Sequence, residues 1–222
     1  MRIVAGAWRG RTLVAPPGQG TRPTADRVRQ ALFDMLLHAA WGGRAVIEDA
    51  MVLDVFAGTG ALGLEAMSRG AAFGCFIESD AAALQALRAN VAACKAGDRV
   101  EILARDALDV GVLPRDRPAS EPVGTDQAGR MWLAGPDARE VPKFSPSMGE
   151  SKTRPASLVF LDPPYGRNLV PRALTHLREA GRIAPNAVIV AEIGGGETWC
   201  PEQDLLAERR YGAARVLVFR AT

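Results

Sequence analysis

The sequence contains few cysteines, histidines and aromatic residues, and these shortages exclude several kinds of site. Its 222 residues include 3 cysteines and 2 histidines, and aromatic residues make up 6%. Because Cys75, Cys94 and Cys200 are odd in number and lack the spacing of metal ligands, we expect reduced thiols in a cytoplasmic protein and no metal site. His38 and His176 lie in helical patterns and are interpreted as ordinary helix residues.

Long apolar runs are also missing. No segment approaches the length of a membrane span, and the N-terminus lacks a signal-peptide layout, so we expect no membrane partner. The hydrophobic content of 48% over 222 residues is enough to bury the core of one catalytic domain. We expect this domain to be a monomer.

Positive charge is concentrated near the N-terminus, although the formal net charge is only +2. Over this stretch the single acid Asp26 is outnumbered by arginines, namely Arg2, Arg9, Arg11, Arg22, Arg27 and Arg29. A basic leading segment suits contact with RNA phosphates. Arginine also supplies nearly all the positive charge elsewhere in the chain, so composition bias is the alternative source of the pattern.

The most informative motif is Asp162-Pro163-Pro164-Tyr165, which follows the apolar strand 158–161. Proline has no N–H and a fixed φ, so the Pro-Pro pair ends the strand and presents a carbonyl in a set direction. An exocyclic amine can donate to Asp162 and to the Pro163 carbonyl while Tyr165 stacks on the base. Both bonds draw the nitrogen lone pair out of conjugation, which prepares the amine to attack an electrophilic methyl group. A tight turn is the alternative interpretation.

A glycine-rich turn earlier in the chain is expected to hold the methyl donor. Gly58, Gly60 and Gly63 follow an apolar strand, a spacing that also fits dinucleotide enzymes. Asp54 within that strand would repel a pyrophosphate but attract the sulfonium and ammonium groups of S-adenosylmethionine. We therefore expect S-adenosylmethionine, with a nicotinamide oxidoreductase as the alternative. The residues expected at this end of the donor are Asp54, Phe56, Ala57, Gly58 and Gly60.

Two later strand ends complete the expected cofactor site. Glu78 and Ser79 follow the second apolar strand, where an acid can bind ribose hydroxyls. After the third strand, Asp106 can accept a hydrogen bond from the adenine amine, and Ala107 can donate its backbone N–H. Each acid alone is more typical of a solvated loop, but together they fall at successive ends of one sheet.

Hydrophobic periodicity predicts an α/β fold in which strands and helices alternate. In order, the predicted elements are a hairpin of 2–5 and 11–15, helix 24–37, strand 52–56, helix 62–69, strand 73–77, helix 81–96, strand 100–103, strand 158–161, helix 169–180, strand 187–193, and an antiparallel pair of 205–211 and 215–220. Such alternation favours a parallel sheet with helices on both faces and ligands at the carboxyl ends of its strands.

An interruption at residues 114–155 breaks this alternation. The stretch is rich in proline, glycine, serine and charge and has no sustained period, which predicts a flexible surface insertion. Because it enters strand 158–161 at its amino end, we expect it on the side of the sheet opposite the site.

Four segments carry a resemblance to a known family: Arg2–Arg11, Arg22–Phe33, Asp54–Ala66 and Asp162–Tyr165. They resemble the bacterial 16S ribosomal RNA (guanine-N2)-methyltransferases of the ribosomal RNA small subunit methyltransferase D type. The likeness spans nearly everything except the insertion, and its arginine-rich leader is the discriminating part. Gln30 and Ala214 depart from the glutamate and threonine that are usual in the family.

The resemblance implies a class I S-adenosylmethionine-dependent methyltransferase fold, with a Rossmann-like, mostly parallel seven-stranded sheet and an antiparallel last strand. Residues 1–40 would form an RNA-binding hairpin and helix extension, and residues 41–222 the methyltransferase domain. The implied substrate is a guanine of 16S ribosomal RNA in an assembled or assembling small subunit. Arg22, Thr24, Arg27 and Arg29 are assigned to RNA, and Asp26 orients an arginine or lies at a helix start.

Other functions remain open from the sequence. An adenine-N6 DNA methyltransferase uses the same motif but ordinarily needs a target-recognition domain. A protein-glutamine methyltransferase usually has asparagine where this chain has Asp162. A non-catalytic ribosomal RNA-binding assembly factor would need neither Asp162 nor the glycine turn.

Deleting most of residues 114–155 should leave methyl transfer intact, because the insertion is expected away from the site. Turnover by the shortened and full-length chains would be compared after circular dichroism has established that both are folded. A large loss of turnover in a folded deletion variant would contradict the expectation.

Overall fold

Seven strands form one sheet in the computed structural model, which describes residues 1–16, 23–111, 123–125, 131–133, 154–202 and 205–222. The strands in chain order are β1 (Met51–Val55), β2 (Phe73–Glu78), β3 (Val100–Ala104), β4 (Val123–Thr125), β5 (Met131–Leu133), β6 (Ala156–Leu161), β7 (Ile183–Gly194), β8 (Leu205–Tyr211) and β9 (Ala214–Arg220). The large sheet has the order β3-β2-β1-β6-β7-β9-β8. Its pairs are parallel except those of β9, which runs antiparallel to both β7 and β8. The predicted fold class is confirmed.

The helices cover the sheet on both faces. They are α1 (Pro23–His38), α2 (Ala61–Ser68), α3 (Ala81–Ala93) and α4 (Leu169–Glu179), with short 3-10 helices at Arg44–Val46 and Gly97–Arg99. On one face, α1 packs Phe33 against Phe160 of β6 with ring centroids 5.7 Å apart, in a cluster that also includes residues of α2 and α3. On the other face, α4 packs Leu174 and Leu177 into a second cluster.

Residues 1–112 and 155–222 form one compact unit, and residues 113–154 form a second. Most of the insertion expected at 114–155 lies outside the described residues. Within it, β4 and β5 pair antiparallel with Gly124 opposite Trp132. Within the described part of the chain, no helix combines the length and the apolarity that crossing a bilayer would require.

Strand order reverses at the centre of the sheet. The chain builds outward from β1 through β2 to β3, and then returns to place β6 on the other side of β1. At such a switch point the loops after the two neighbouring strands diverge and leave a crevice at their carboxyl ends. Asp54 lies near the end of β1 and Asp162 directly follows β6, so the topology brings them to this crevice.

The predicted N-terminal hairpin is only partly formed. In place of two strands, residues 1–13 have one isolated bridge, between Arg2 and Thr12. The segment is instead held by the buried carboxylate of Glu65 on α2, which accepts hydrogen bonds from the N–H groups of Val4 at 2.7 Å and Ala5 at 3.0 Å. Side-chain acceptors thus replace part of the strand ladder that the alternating sequence predicts.

Glu65 also lies between two arginines. Arg69 Nε donates to it at 2.8 Å, and Arg29 Nε of α1 lies 3.5 Å from its other oxygen. The Glu65 carboxylate is fully buried, so these cations and the two N–H groups are needed to offset its lost hydration. Arg69 in turn stacks over Phe33 at 4.8 Å and donates to Gln30. This network joins α1, α2 and the N-terminal segment.

A second buried side chain, Asn90 of α3, joins the same segment to the glycine turn. Its amide oxygen accepts from Val14 N at 2.7 Å, and its nitrogen donates to the carbonyls of Val14 at 3.0 Å and Thr59 at 2.9 Å. Because the oxygen and the nitrogen of the Asn90 amide are both hydrogen-bonded to backbone groups, Asn90 fixes the position of Thr59 relative to Val14.

The first turn of α2 packs closely on the sheet at Gly63. Its N–H donates to Asp54 Oδ2 at 2.8 Å, and a Cβ at Gly63 would lie 2.4 Å from Phe76 Cε1 and 3.0 Å from Asp54 Oδ2. Only glycine allows this approach.

Replacing Gly63 by alanine should therefore lower the free energy of unfolding by about 2 kcal/mol, because Phe76 is fully buried and has little room to move. Urea denaturation would measure the change. The matched control is Gly97→Ala, where no atom lies within 4 Å of the added Cβ, and there we expect a change within about 0.5 kcal/mol. Equal effects at the two positions would contradict the close packing inferred at Gly63.

Candidate active site

A cavity of about 590 Å³ opens at the carboxyl ends of β1, β6 and β7. Its walls come from the glycine turn, from the Asp162 motif, from α1 and from the turn between β8 and β9. The lining residues are Met1, Val28, Arg29, Leu32, Asp54, Phe56, Ala57, Gly58, Thr59, Ala61, Leu62, Leu161, Asp162, Tyr165, Val190, Glu192, Tyr211, Ala213, Ala214 and Val216. The cavity thus brings together the turn predicted to hold the donor and the motif predicted to hold an amine.

Three acids project into this cavity from one face of the sheet. Asp54 is in register with Phe160, and Phe160 is in register with Val190. Because side chains alternate along a strand, residues two positions beyond these partners, Asp162 and Glu192, share the face of Asp54. The same face packs against α1, as the contact between Phe33 and Phe160 shows.

Asp54 is the most deeply buried of the three acids, with 2% of its surface exposed. Burial raises the pKa of its carboxyl to about 8; the hydrogen bond from Gly63 opposes the rise, and the charges of Asp162 and Glu78 add to it. An acid with such a pKa is partly protonated at neutral pH. A cation placed beside Asp54 would favour its ionised form.

The glycine turn has the backbone geometry of a close approach to a ligand. Gly58 has φ 55° and Gly60 has φ 77°, and Phe56 also has a positive φ of 61°, which is strained for a bulky residue. A Cβ at Gly58 would meet nothing nearer than 4.0 Å, so this position faces the open cavity. At Gly60, in contrast, a Cβ would lie 2.4 Å from Leu87, so that glycine serves packing.

Glu78 is tied to the same turn. One carboxylate oxygen accepts from Gly58 N at 2.7 Å, and the other accepts from Ser79 N at 2.7 Å and Asp80 N at 2.8 Å. A carboxylate has about four lone-pair positions, so with three of them filled Glu78 keeps one for a hydroxyl donor. Glu78, Ser79, Asp106 and Ala107 lie outside the cavity lining, as do Gly60, Pro163 and Pro164.

The loop after β3 is also ordered by its own acid. Asp106 Oδ1 accepts from Leu108 N at 2.8 Å, and Ala107 between them is 3% exposed. Asp106 itself is exposed, so its remaining lone pairs face outward. The predicted acceptor for the adenine amine is therefore on an exposed loop two residues beyond the end of β3.

These features distinguish between the two cofactors considered from the sequence. The Gly63 N–H at the start of α2, which a pyrophosphate would use in a dinucleotide enzyme, already donates to Asp54 at 2.8 Å. The acids Asp54, Asp162 and Glu192 would repel phosphate, whereas they suit a ligand that carries a sulfonium and an ammonium. The residues present fit S-adenosylmethionine and do not fit a nicotinamide dinucleotide.

The Asp162 motif forms the facing wall. Although Asp162 opens to the cavity, the surrounding protein desolvates its carboxyl and raises its pKa to about 7, and the nearby charge of Glu192 adds to the rise. Pro163 is buried, while the Tyr165 ring is 45% exposed. The Tyr165 hydroxyl donates to Glu192. Partial burial is the main cause that raises the Tyr165 pKa, and this hydrogen bond is the next.

The loop that carries Tyr165 is fastened to the end of β7. Glu197 Oε1 accepts from the N–H groups of Gly166 and Gly194, each at 3.0 Å. This bridge orients the loop independently of any ligand. Tyr165 is therefore positioned at both its backbone and its hydroxyl.

The residues predicted to contact RNA differ in environment. Arg29 is 5% exposed, and besides approaching Glu65 it donates to Asp26 at 2.8 Å and to the Arg2 carbonyl. Its guanidinium is thus used mainly within the protein, and its partner Asp26 lies in the first turn of α1. Arg27 is exposed on α1. Arg22 and the side chain of Thr24 lie outside the described residues.

Sequence reasoning missed Glu192, Glu65 and Asn90. Glu192 had a usable signal, because it is the one acid within the last apolar parallel strand and continues the series of acids near strand ends. For Glu65 and Asn90 no local pattern pointed to the contacts with the N-terminal segment and the glycine turn, because those partners lie 60 or 61 residues from Glu65 and 31 and 76 residues from Asn90.

Comparisons with known proteins agree with this geometry. A family model described as "Conserved hypothetical protein 95" matches residues 1–119 and 143–220. The chain is 36% identical over 192 residues to Ribosomal RNA small subunit methyltransferase D of Escherichia coli K12, covering 86% of this chain and 74% of that protein. A solved structure titled putative methyltransferase yhhF from Escherichia coli has a TM-score of 0.68 and 31% identity, covering 99% of this chain and 97% of that one. An RNA methyltransferase from Salinibacter ruber in complex with S-adenosyl-L-homocysteine shares the fold, at 16% identity, a TM-score of 0.52 and coverage of 90% and 92%.

Replacing Asp54 by asparagine should flatten the pH dependence of donor binding. With its pKa raised to about 8, wild-type Asp54 must lose a proton when a cationic donor binds, so affinity should rise by about 50- to 100-fold between about pH 6 and pH 8.5. The amide oxygen of asparagine can still accept from Gly63 but does not titrate. Calorimetry with S-adenosylmethionine in two buffers of different ionisation enthalpy would count the protons released.

The amino group of S-adenosylmethionine also titrates, but it does so equally with wild type and with Asp54→Asn. The difference between the pH dependences of their donor affinities therefore reports Asp54 alone. Identical pH dependence in wild type and Asp54→Asn, with both folded, would show that the Asp54 charge has no part in donor binding.

Proposed function

Because this chain belongs to the ribosomal RNA small subunit methyltransferase D family, we propose that it transfers a methyl group from S-adenosylmethionine to the N2 amine of a guanine in 16S ribosomal RNA. The observation that carries the proposal is the placement of Asp162 and Tyr165 in the same cavity as Asp54 and Gly58. An amine held by the first pair would lie beside a donor held by the second.

The part of Asp162 is to accept a hydrogen from the amine. The Pro163 carbonyl is the second acceptor. With both N–H groups hydrogen-bonded in this way, the nitrogen lone pair is drawn out of conjugation with the ring and becomes available for attack. Tyr165 stacks on the base, and its hydroxyl bond to Glu192 fixes the ring. The target base must leave its stack to reach this position, as in other enzymes that act on base edges.

Bound at Asp54 and the glycine turn, S-adenosylmethionine would supply a methyl group on a sulfonium, which is already a good leaving group. Asp54 attracts the positive end of the donor, and Glu78 offers its remaining acceptor position to a ribose hydroxyl. The amine held by Asp162 and the Pro163 carbonyl would take this methyl group, and the electron pair of the S–C bond would stay with the departing sulfur. The proton on nitrogen then leaves to Asp162 or to water. Positioning is the main source of rate.

The basic leader is proposed to contact the RNA backbone. Arg2, Arg9 and Arg27 are exposed, and Arg11, also exposed, donates to the Ala93 carbonyl at the end of α3. Residues 1–40 would then position the RNA over the cavity, since α1 lines it with Val28, Arg29 and Leu32. We further propose that a monomer acts on an assembled or assembling small subunit.

An adenine-N6 enzyme would use the same amine holder. The inserted stretch, which the family model passes over at residues 120–142, is the part of the chain that would have to supply its target recognition. The guanine proposal instead uses the acids and arginines of residues 1–112 and 155–222.

Replacing Asp162 by alanine should lower kcat by about 10²- to 10³-fold, because the amine loses its charged acceptor. The affinity for S-adenosylmethionine should change by less than about threefold, since Asp54 and the glycine turn are kept. The measurements are labelled methyl transfer to small-subunit particles from cells that lack the protein, nucleoside analysis of the product, and calorimetry of donor binding. Turnover that survives the replacement would show that the amine is held elsewhere.

The pH profile tests the same group in wild-type protein. Because the pKa of Asp162 is raised to about 7, its protonated form accumulates below that value, and kcat/KM at saturating donor should fall on the acid side. Asp162→Asn keeps one acceptor but should remove this acid limb.

A further inference from the structure

We propose that Glu192 is the residue that selects guanine over adenine, by accepting a hydrogen bond from the guanine N1–H while Asp162 holds the neighbouring N2 amine. This inference rests on the proposed function. It assigns to the site a second base-reading group, which the Asp162 motif alone does not supply.

The two acids are neighbours across the sheet. Leu161 of β6 pairs with Ala191 of β7, so Asp162 and Glu192 are the next residues along two adjacent parallel strands. Both line the cavity, and the charge of Glu192 acts on Asp162. Adjacent parallel strands lie about 4.8 Å apart, a separation that two neighbouring donors on a base edge can span with their hydrogen bonds.

One oxygen of Glu192 is already committed. The Tyr165 hydroxyl donates to Oε1, which leaves Oε2 as the acceptor for a ligand. This bond also fixes the carboxylate relative to the ring that is proposed to stack on the base. The hydrogen bond between Tyr165 and Glu192 therefore positions both the ring that stacks on the base and the carboxylate that recognises the edge of the base.

The cavity walls next to the Glu192 carboxylate are apolar. Val216 pairs with it from β9, Val190 precedes it on the same face, and both line the cavity. Among the residues that the structure describes, Glu192 takes part in no ion pair within 4 Å. A half-buried carboxylate with one oxygen open to the cavity and apolar neighbours favours a ligand that donates a hydrogen bond.

Guanine and adenine differ in what they offer here. Guanine presents two adjacent donors, N1–H and the N2 amine, which match two adjacent carboxylates. Adenine presents its amine beside an unprotonated N1, whose lone pair would face Glu192. A site that leaves a buried polar group unpaired rejects the analogue strongly, whereas a merely loose fit does not.

A base analogue separates recognition from chemistry. 2-Aminopurine keeps the exocyclic 2-amine of guanine but has an unprotonated N1. We would reconstitute small-subunit particles whose 16S ribosomal RNA carries either guanine or 2-aminopurine at the position methylated by the wild-type protein, and compare kcat/KM for the two. Wild type should prefer guanine by about 100-fold.

Glu192→Gln should bring the two substrates to within about threefold of each other. The amide oxygen can accept from Tyr165 as before, while its NH₂ group donates to N1 of 2-aminopurine and opposes N1–H of guanine. Glu192→Asp should keep the guanine preference at lower turnover. Tyr165→Phe should lower turnover and keep the preference, because the carboxylate remains. Glu179→Gln, which changes a carboxylate on the exposed surface of α4, is the control.

A second readout does not depend on methylation. The fluorescence of 2-aminopurine rises when the base leaves its stack, so its increase in particles without donor reports capture in the cavity. The increase should be larger with Glu192→Gln than with wild type. Thermal unfolding of every variant establishes that each is folded.

The outcomes are distinguishable. If wild type produces N2-methylguanine but Glu192→Gln lowers activity on both substrates by the same factor and leaves the fluorescence unchanged, Glu192 has only a structural part and this inference is wrong while the proposed function stands. If wild type yields no N2-methylguanine, the proposed function fails, and the inference fails with it.

Discussion

Burial, together with mutual repulsion, of carboxyl groups at one edge of the sheet is the constraint on which the site depends. Asp54, Asp162 and Glu192 lie on one face, and Glu78 adds its charge to that of Asp162 at Asp54. The pKa of Asp54 is raised to about 8 and that of Asp162 to about 7, so in the free protein the edge holds protons that isolated acids would have lost. A cationic donor and a base edge rich in N–H groups relieve this repulsion. The proposed ligands thus carry the positive charge and the hydrogen-bond donors that this acidic edge lacks.

A separate set of buried polar groups holds the opposite wall of the cavity. Glu65 and Asn90 attach the N-terminal segment to α2, to α3 and to the glycine turn. Arg29 connects this network to α1, which lines the cavity. Consequently, the part of the chain proposed to meet RNA and the part proposed to meet the donor are held by the same network of buried polar groups.

The sequence was sufficient to predict the central sheet, the family and the meeting of the glycine turn with the Asp162 motif, because these follow from apolar periodicity and from short local motifs. The strand ends at Asp54 and Asp162 were predictable for this reason. The N-terminal hairpin was predicted as two strands, although side chains of α2 and α3 replace much of its ladder. Arg29 reads as a phosphate contact beside other arginines, yet the fold buries it against Glu65. Contacts over such sequence distances depend on the assembled fold, and no local pattern specifies them.

The central position of β6 has a consequence for how the molecule is built during synthesis. β6 pairs with β1 across about a hundred residues of chain, and β7 can take its place only after β6 is present. The entropy lost on closing so long a loop is only slightly larger than that for a loop of half the length. The intervening length therefore lowers stability little, but it slows the pairing of β6 with β1. The acidic edge is therefore completed late, when the nascent chain has already emerged as far as β7. Until β6 has paired with β1, the charge of Asp162 does not act on Asp54, so this contribution to the raised Asp54 pKa is acquired only when the two strands are together.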